Sequence, residues 1–109
     1  MNMMSLERII KALIRLGLSR SEAEVYVHIA NNGPQKAVSL AKDLNINKST
    51  IYVSLRNLQA KELVTKNCTI FSALPFEEAL ELLIKMNKQQ TRFLDESKKE
   101  LLSSWRKAN

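Results

Sequence analysis

Cysteine, histidine, glycine and proline are scarce in this chain: one Cys, one His, two Gly and two Pro among 109 residues. Cys68 has no second thiol to close a disulfide within one copy, and with His28 as the single imidazole no Cys/His cage for a metal can be assembled. A chain with so few breakers and few β-branched runs, rich in Leu, Ile, Lys and Glu, is expected to be mainly helical. No stretch approaches the roughly 20 apolar residues of a membrane span. The opening MNMMSLERII has no apolar run after a basic segment, so no signal peptide is expected and the expected location is the cytoplasm. The residue combinations of catalysis are missing as well. There is no His beside a nucleophile, no glycine-rich phosphate loop, and no paired carboxylates outside solvated helix turns such as Glu77 and Glu78, which suit the first turn of a helix. An enzyme is therefore not expected, and neither cofactor nor metal is called for.

What is present is enough for one domain with a modest core: 45% apolar residues in a chain of net charge +6. The charge is unevenly spread. Residues 36–66 hold Lys36, Lys42, Lys48, Arg56, Lys61 and Lys66 against Asp43 and Glu62. Two thirds of the excess thus falls on one segment, the footprint of a surface that docks on a polyanion.

That segment reads as helix, tight turn, helix and the start of a β-hairpin. Leu40, Ala41 and Leu44 give a short first helix, with Ala41 small enough for a close crossing, and Asn45 and Ile46 make the turn. Asn47 is placed as N-cap of a second helix over residues 48–61, with Ile51, Leu55 and Leu58 on the inward face. The opposite side carries Ser49, Val53, Arg56 and Asn57, flanked by Thr50 and Tyr52, with Lys48 at the start, and no carboxylate interrupts it. Such a face offers donors to base edges and phosphates, and Val53 offers a contact for a thymine methyl. These residues, with Lys66 on the hairpin, are the candidate DNA-binding set.

Ahead of this unit, residues 5–16 repeat Leu6, Ile9, Ile10, Leu13 and Ile14 at helical spacing. Gly17 ends that helix, and Ser19 with Glu22 forms the capping box of a second, whose buried stripe is Val25, Tyr26, Ile29 and Ala30. Asn32, Gly33 and Pro34 stop it, and residues 35–37 form a brief strand. His28 lies off the stripe as a surface residue. Behind the unit, two β-prone runs, 63–66 and 69–73, join near Asn67 and Cys68 as a small wing. Pro75 then opens one long helix from Phe76 to about Arg106. At 1.5 Å per residue it would reach roughly 45 Å, more than so small a domain can cover. Its heptad-like spacing (Leu80, Asn87, Leu94 and Leu101; Leu83 and Gln90), widened by Phe93 and Trp105, marks a helix that packs against the same helix of a second copy and also against the N-terminal helix, with a fold-back over its own domain alone as the alternative. The expected division is residues 1–74 as the DNA-binding part and 75–109 as a C-terminal dimerisation helix of the same compact unit.

Three motifs carry a family resemblance: LGLSRSEAEVYVHIANNGP at 16–34, LAKDLNINKSTIYVSLRNLQAKELV at 40–64 and ALPFEEALELL at 73–83. Together and in this order they resemble the TrmB-like winged-helix transcription regulators of archaea. The resemblance implies a homodimer on double-stranded operator DNA, the second helix of the motif in the major groove, with Lys48, Ser49, Tyr52 and Arg56 at positions that approach DNA. Glu62 stands where the family usually has glycine, the wing is shorter, and no counterpart of the sugar-binding domain of larger members follows, so no particular effector is implied. The competing reading is a winged-helix protein interaction module without direct DNA readout. A polar, basic outer face argues against it, because a docking face for protein exposes a contiguous apolar patch.

Overall fold

The computed structural model describes the backbone of residues 3–87 and 91–108, and the side-chain surroundings of residues 6–87 and 98–108. Its elements follow in the order α1 (Met3–Arg15), α2 (Arg20–Asn32), β1 (Gln35–Lys36), α3 (Ala37–Leu44), α4 (Lys48–Ala60), β2 (Val64–Asn67), β3 (Ile70–Ala73), α5 (Phe76–Met86) and α6 (Thr91–Ala108). The strands form one antiparallel sheet of order β1-β3-β2, with Val64 opposite Ala73 and Gln35 opposite Phe71. This is the expected mainly helical fold with a hairpin wing, and the brief strand before the helix-turn-helix forms because β3 offers it an edge.

The local signals act as their chemistry requires. Ser19 and Glu22 make both bonds of the capping box, the Glu22 amide donating to Ser19 Oγ at 3.1 Å and the Ser19 amide to Glu22 Oε1 at 3.2 Å. Gly33 closes α2 with φ of 95°, a left-handed value that costs glycine little. Asn45 ends α3 in the left-handed region at φ 54°, which asparagine tolerates better than most residues.

Ile9, Leu13, Val25, Tyr26, Ile29, Leu40, Ile51, Leu55, Leu58, Leu63 and Leu80 are buried in one continuous core. Tyr26 keeps its polar end satisfied there by donating its hydroxyl to the Leu74 carbonyl at 2.5 Å, so the middle of α2 is tied to the residue that follows the wing. His28 does more than occupy the surface. Its Nε2 lies 3.1 Å from Asp43 Oδ2, and Asn32 Nδ2 lies 3.2 Å from its Nδ1, fastening α2 to α3.

The C-terminal part corrects the expectation of one unbroken helix. Asn87 ends α5, its amide donating to the carbonyls of Leu83 and Ile84, and α6 packs back against α1 and α5. The longest axis of the protein, 37 Å, is shorter than the roughly 45 Å that a single helix would need. Polar Asn87 at the end of α5 is a poor residue for helix continuation, and the apolar surface of α1 is the expected intramolecular partner on which α6 packs. Leu80, Leu83 and Leu101 accordingly lie in the protomer's own core, and the Trp105 ring stacks on Phe76 with centroids 4.8 Å apart. Asn87 is the cap itself. Gln90 and the side chains of Phe93 and Leu94, assigned to the same seam, lie outside the described residues. Ion pairs follow the fold-back, Arg8 with Glu100 across α1 and α6, and Lys98 with Glu81 across α6 and α5.

Two outcomes follow from this core. Leu101→Ala should lower the unfolding free energy by roughly 2–5 kcal/mol in urea titrations, as expected for a cavity in a packed interior. The second concerns alkali. Burial, and after it the charge of Glu78, push the Tyr26 phenol far above the ordinary tyrosine range. The folded state therefore holds this proton more tightly than the unfolded chain, so its stabilisation is complete below about pH 10 and is lost as the pH rises beyond that value. Tyr26→Phe should flatten the alkaline limb of the stability curve, while costing about 1 kcal/mol at neutral pH through the vacated Leu74 carbonyl.

Candidate nucleic-acid interface

The site is built on α4. Asn47 caps it as expected, its Oδ1 accepting from the Thr50 amide at 2.8 Å, which fixes the first turn, with Lys48 and Ser49 as its first two residues. Ile51, Leu55 and Leu58 are buried, 0–1% exposed, and set the rotation of the helix. Lys48, Ser49 and Arg56 are exposed, and Tyr52 and Val53 are half exposed at 48% and 50%. The flank expected to be open to a duplex is open within the protomer. Thr50 is partly covered.

Asn57 is placed differently from the other candidates. It is half-buried beside the N-terminus of α2, where its Nδ2 donates to Glu22 Oε2 at 2.9 Å. Lys61 Nζ stands 3.8 Å from Glu22 Oε1, and the Ser19 amide completes the set of donors around this buried carboxylate. A cleft of about 390 Å³ runs between the two helices, lined by Ser19, Ser21, Glu22, Ser49, Thr50, Val53, Ser54 and Asn57. The bond between Glu22 and Asn57 is the feature of this cleft that sequence reasoning missed. The capping role of Glu22 accounts for that residue locally, and the 35 residues separating it from Asn57 carry no periodic signal.

The wing follows directly from α4. The Leu63 amide donates to the Leu58 carbonyl at 2.9 Å and the Leu74 amide to the Leu63 carbonyl at 2.9 Å, closing the base of the hairpin. Glu62, at the position noted for its missing glycine, takes φ of 64°. Cys68 begins the two-residue tip at φ 60°, the sign that the first residue of a type II′ turn requires. Lys66 is exposed on β2 with its ammonium 5.6 Å from the Phe71 ring centroid across the strand pair, within cation–π range. Arg20, at the other rim, is engaged: its fork donates to both Glu7 oxygens at 2.8 and 2.9 Å and holds that carboxyl below its ordinary range. Among the described residues no cluster of His, Cys, Asp and Glu is disposed to hold a metal ion, and no helix is long and apolar enough to cross a membrane.

A helix-turn-helix followed by a β-hairpin that pairs with a strand ahead of it defines a winged helix-turn-helix protein. Residues 13–77, more than half of the chain, match the family described as "Sugar-specific transcriptional regulator TrmB", and the chain belongs to that family. The matched stretch contains α2, α3, α4 and the wing, and stops before α6. The chain is also 30% identical over 78 residues to an uncharacterized protein of Methanocaldococcus jannaschii, across 63% of this chain and 59% of the relative. It thus spans about three fifths of the curated relative it matches.

Removing the cap tests how far the site depends on the start of α4. Asn47→Ala should cost about 1 kcal/mol of unfolding free energy, and Asn47→Asp much less, both read from urea midpoints at constant m-value.

Proposed function

We propose that the protein is a sequence-specific, double-stranded-DNA-binding transcription regulator that acts as a homodimer, with α4 in the major groove. The observation that carries this reading is the outer face of α4: solvent-open, lined by hydroxyl, guanidinium and ammonium groups, without a carboxylate in the helix, and rotated outward by a fully buried inner face. Lys48, Ser49, Val53, Arg56 and Asn57 are the groove-face residues of the proposal, Thr50 and Tyr52 flank them, and Lys66 on the wing meets the phosphate backbone. A 13-residue helix is about 20 Å long and covers one half-site, which favours two copies on a pseudo-palindrome with recognition helices roughly 34 Å apart. Since Leu80, Leu83 and Leu101 are consumed by the protomer's own core, pairing draws on what the C-terminal helices leave outward, such as Met86, 55% exposed at the end of α5. The non-enzymatic reading of the sequence accords with a family of transcription regulators.

Binding to a site selected from a random duplex pool should fall at least about a hundredfold between 50 and 200 mM salt, the loss expected when about four phosphates are neutralised. Arg56→Ala should cost roughly 1–3 kcal/mol and relax preference at one position, whereas Lys66→Ala should weaken all sequences alike, both read by fluorescence anisotropy. An affinity insensitive to salt would overturn the proposal, and the mass of the complex by light scattering tests the dimer.

A further inference from the structure

Asn57 is the one groove-side candidate on α4 whose side chain is bonded to another helix by an observed contact, and the partner's chemistry fixes which way its amide faces. A carboxylate only accepts hydrogen bonds, and Glu22 already takes the Ser19 amide on one oxygen and has Lys61 nearby. Its other oxygen, Oε2, must therefore meet the NH2 end of Asn57, as it does at 2.9 Å. An Asn57 carbonyl oxygen turned to Glu22 would set two acceptors against each other beside a buried charge. Asn57 lines the cleft between α2 and α4 together with Ser49 and Val53, two exposed residues of the groove side.

From this we infer that Glu22 is a positioning residue for base selection: by holding the Asn57 NH2 group it presents the Asn57 carbonyl oxygen to the major groove, selecting a base that offers an amino group, cytosine or adenine. In that groove cytosine N4 and adenine N6 are the donors, whereas guanine O6 and N7 and thymine O4 only accept. The inference rests on α4 reading DNA, and it adds a base class to that reading. It also gives Glu22 a double duty. The capping box locks its oxygen Oε1 at the start of α2, so the orientation of Asn57 is inherited from the N-cap of a helix outside the helix-turn-helix.

Glu22→Gln is the informative variant. The capping box needs an oxygen opposite the Ser19 amide, so the new NH2 group must face Asn57. Two amide nitrogens cannot serve each other, and Asn57 turns over to present its NH2 group. Site selection from a random duplex pool is run on the full chain, on Asn57→Ala and on Glu22→Gln, with melting curves as folding controls. The wild-type pool should hold one position enriched roughly fivefold to tenfold in cytosine or adenine that Asn57→Ala flattens while the others persist, and at that position Glu22→Gln should reverse the preference to guanine or thymine. The inference is overturned if Asn57→Ala flattens a guanine or thymine position or none, or if Glu22→Gln keeps the wild-type base or flattens it without reversal. Should Glu22→Gln fail to melt cooperatively, the base lost in Asn57→Ala decides alone. A wild-type pool with no enriched sequence would remove the DNA reading itself, a result distinct from a clear wild-type motif indifferent to residues 22 and 57.

Discussion

The rotation of α4 about its own axis is the constraint on which the rest of the molecule depends. Ile51, Leu55 and Leu58 are all but fully buried, and turning the helix by one residue, about 100°, would expose them and bury Arg56 or Lys48 in their place. Each of the three apolar side chains is worth roughly 1.5–3 kcal/mol of burial, so no surface interaction competes with that setting. The core thus decides which residues a duplex would meet, and the cap at Asn47 decides where along the helix the face begins.

Around this axis the neighbouring elements act as stops. Glu22 holds α4 from the side of α2, and the two hydrogen bonds at the base of the hairpin hold it from the side of the wing. His28 and Asp43 join α2 to α3, so both helices of the helix-turn-helix are fastened to the same support. These contacts join residues distant in sequence and orient a frame that the apolar core already makes stable.

What the sequence made legible follows from range. The capping box of Ser19 and Glu22, the cap at Asn47, the breaker at Gly33 and the spacing of Ile51, Leu55 and Leu58 are decided within one or two turns of chain, and each forms as read. The open face of α4 was legible for the same reason, since it is the complement of a local apolar stripe. The engagement of Asn57 by Glu22 was not, because nothing near either residue announces the other. The unbroken length of the C-terminal helix was misread for a different reason: leucines at heptad-like spacing serve equally well for one long helix and for two shorter ones, and for a partner in another molecule or in the same one. The break at Asn87 is not recorded by that spacing, whereas the packing of α6 on α1 follows from the apolar stripe of the N-terminal helix.

The hydrogen bonds among Leu58, Leu63, Leu74 and Tyr26 have a consequence for how the wing moves. Its root is clamped to the end of one helix and the middle of another, while its tip at Cys68 and Thr69 is exposed and outside the ladder. Deuterium uptake in such an arrangement is graded: amides at the root open only when the whole molecule does, and those at the tip exchange through local fraying. The hairpin is thus built as a stiff lever with a soft end, whose tip can yield without disturbing the helix beside it.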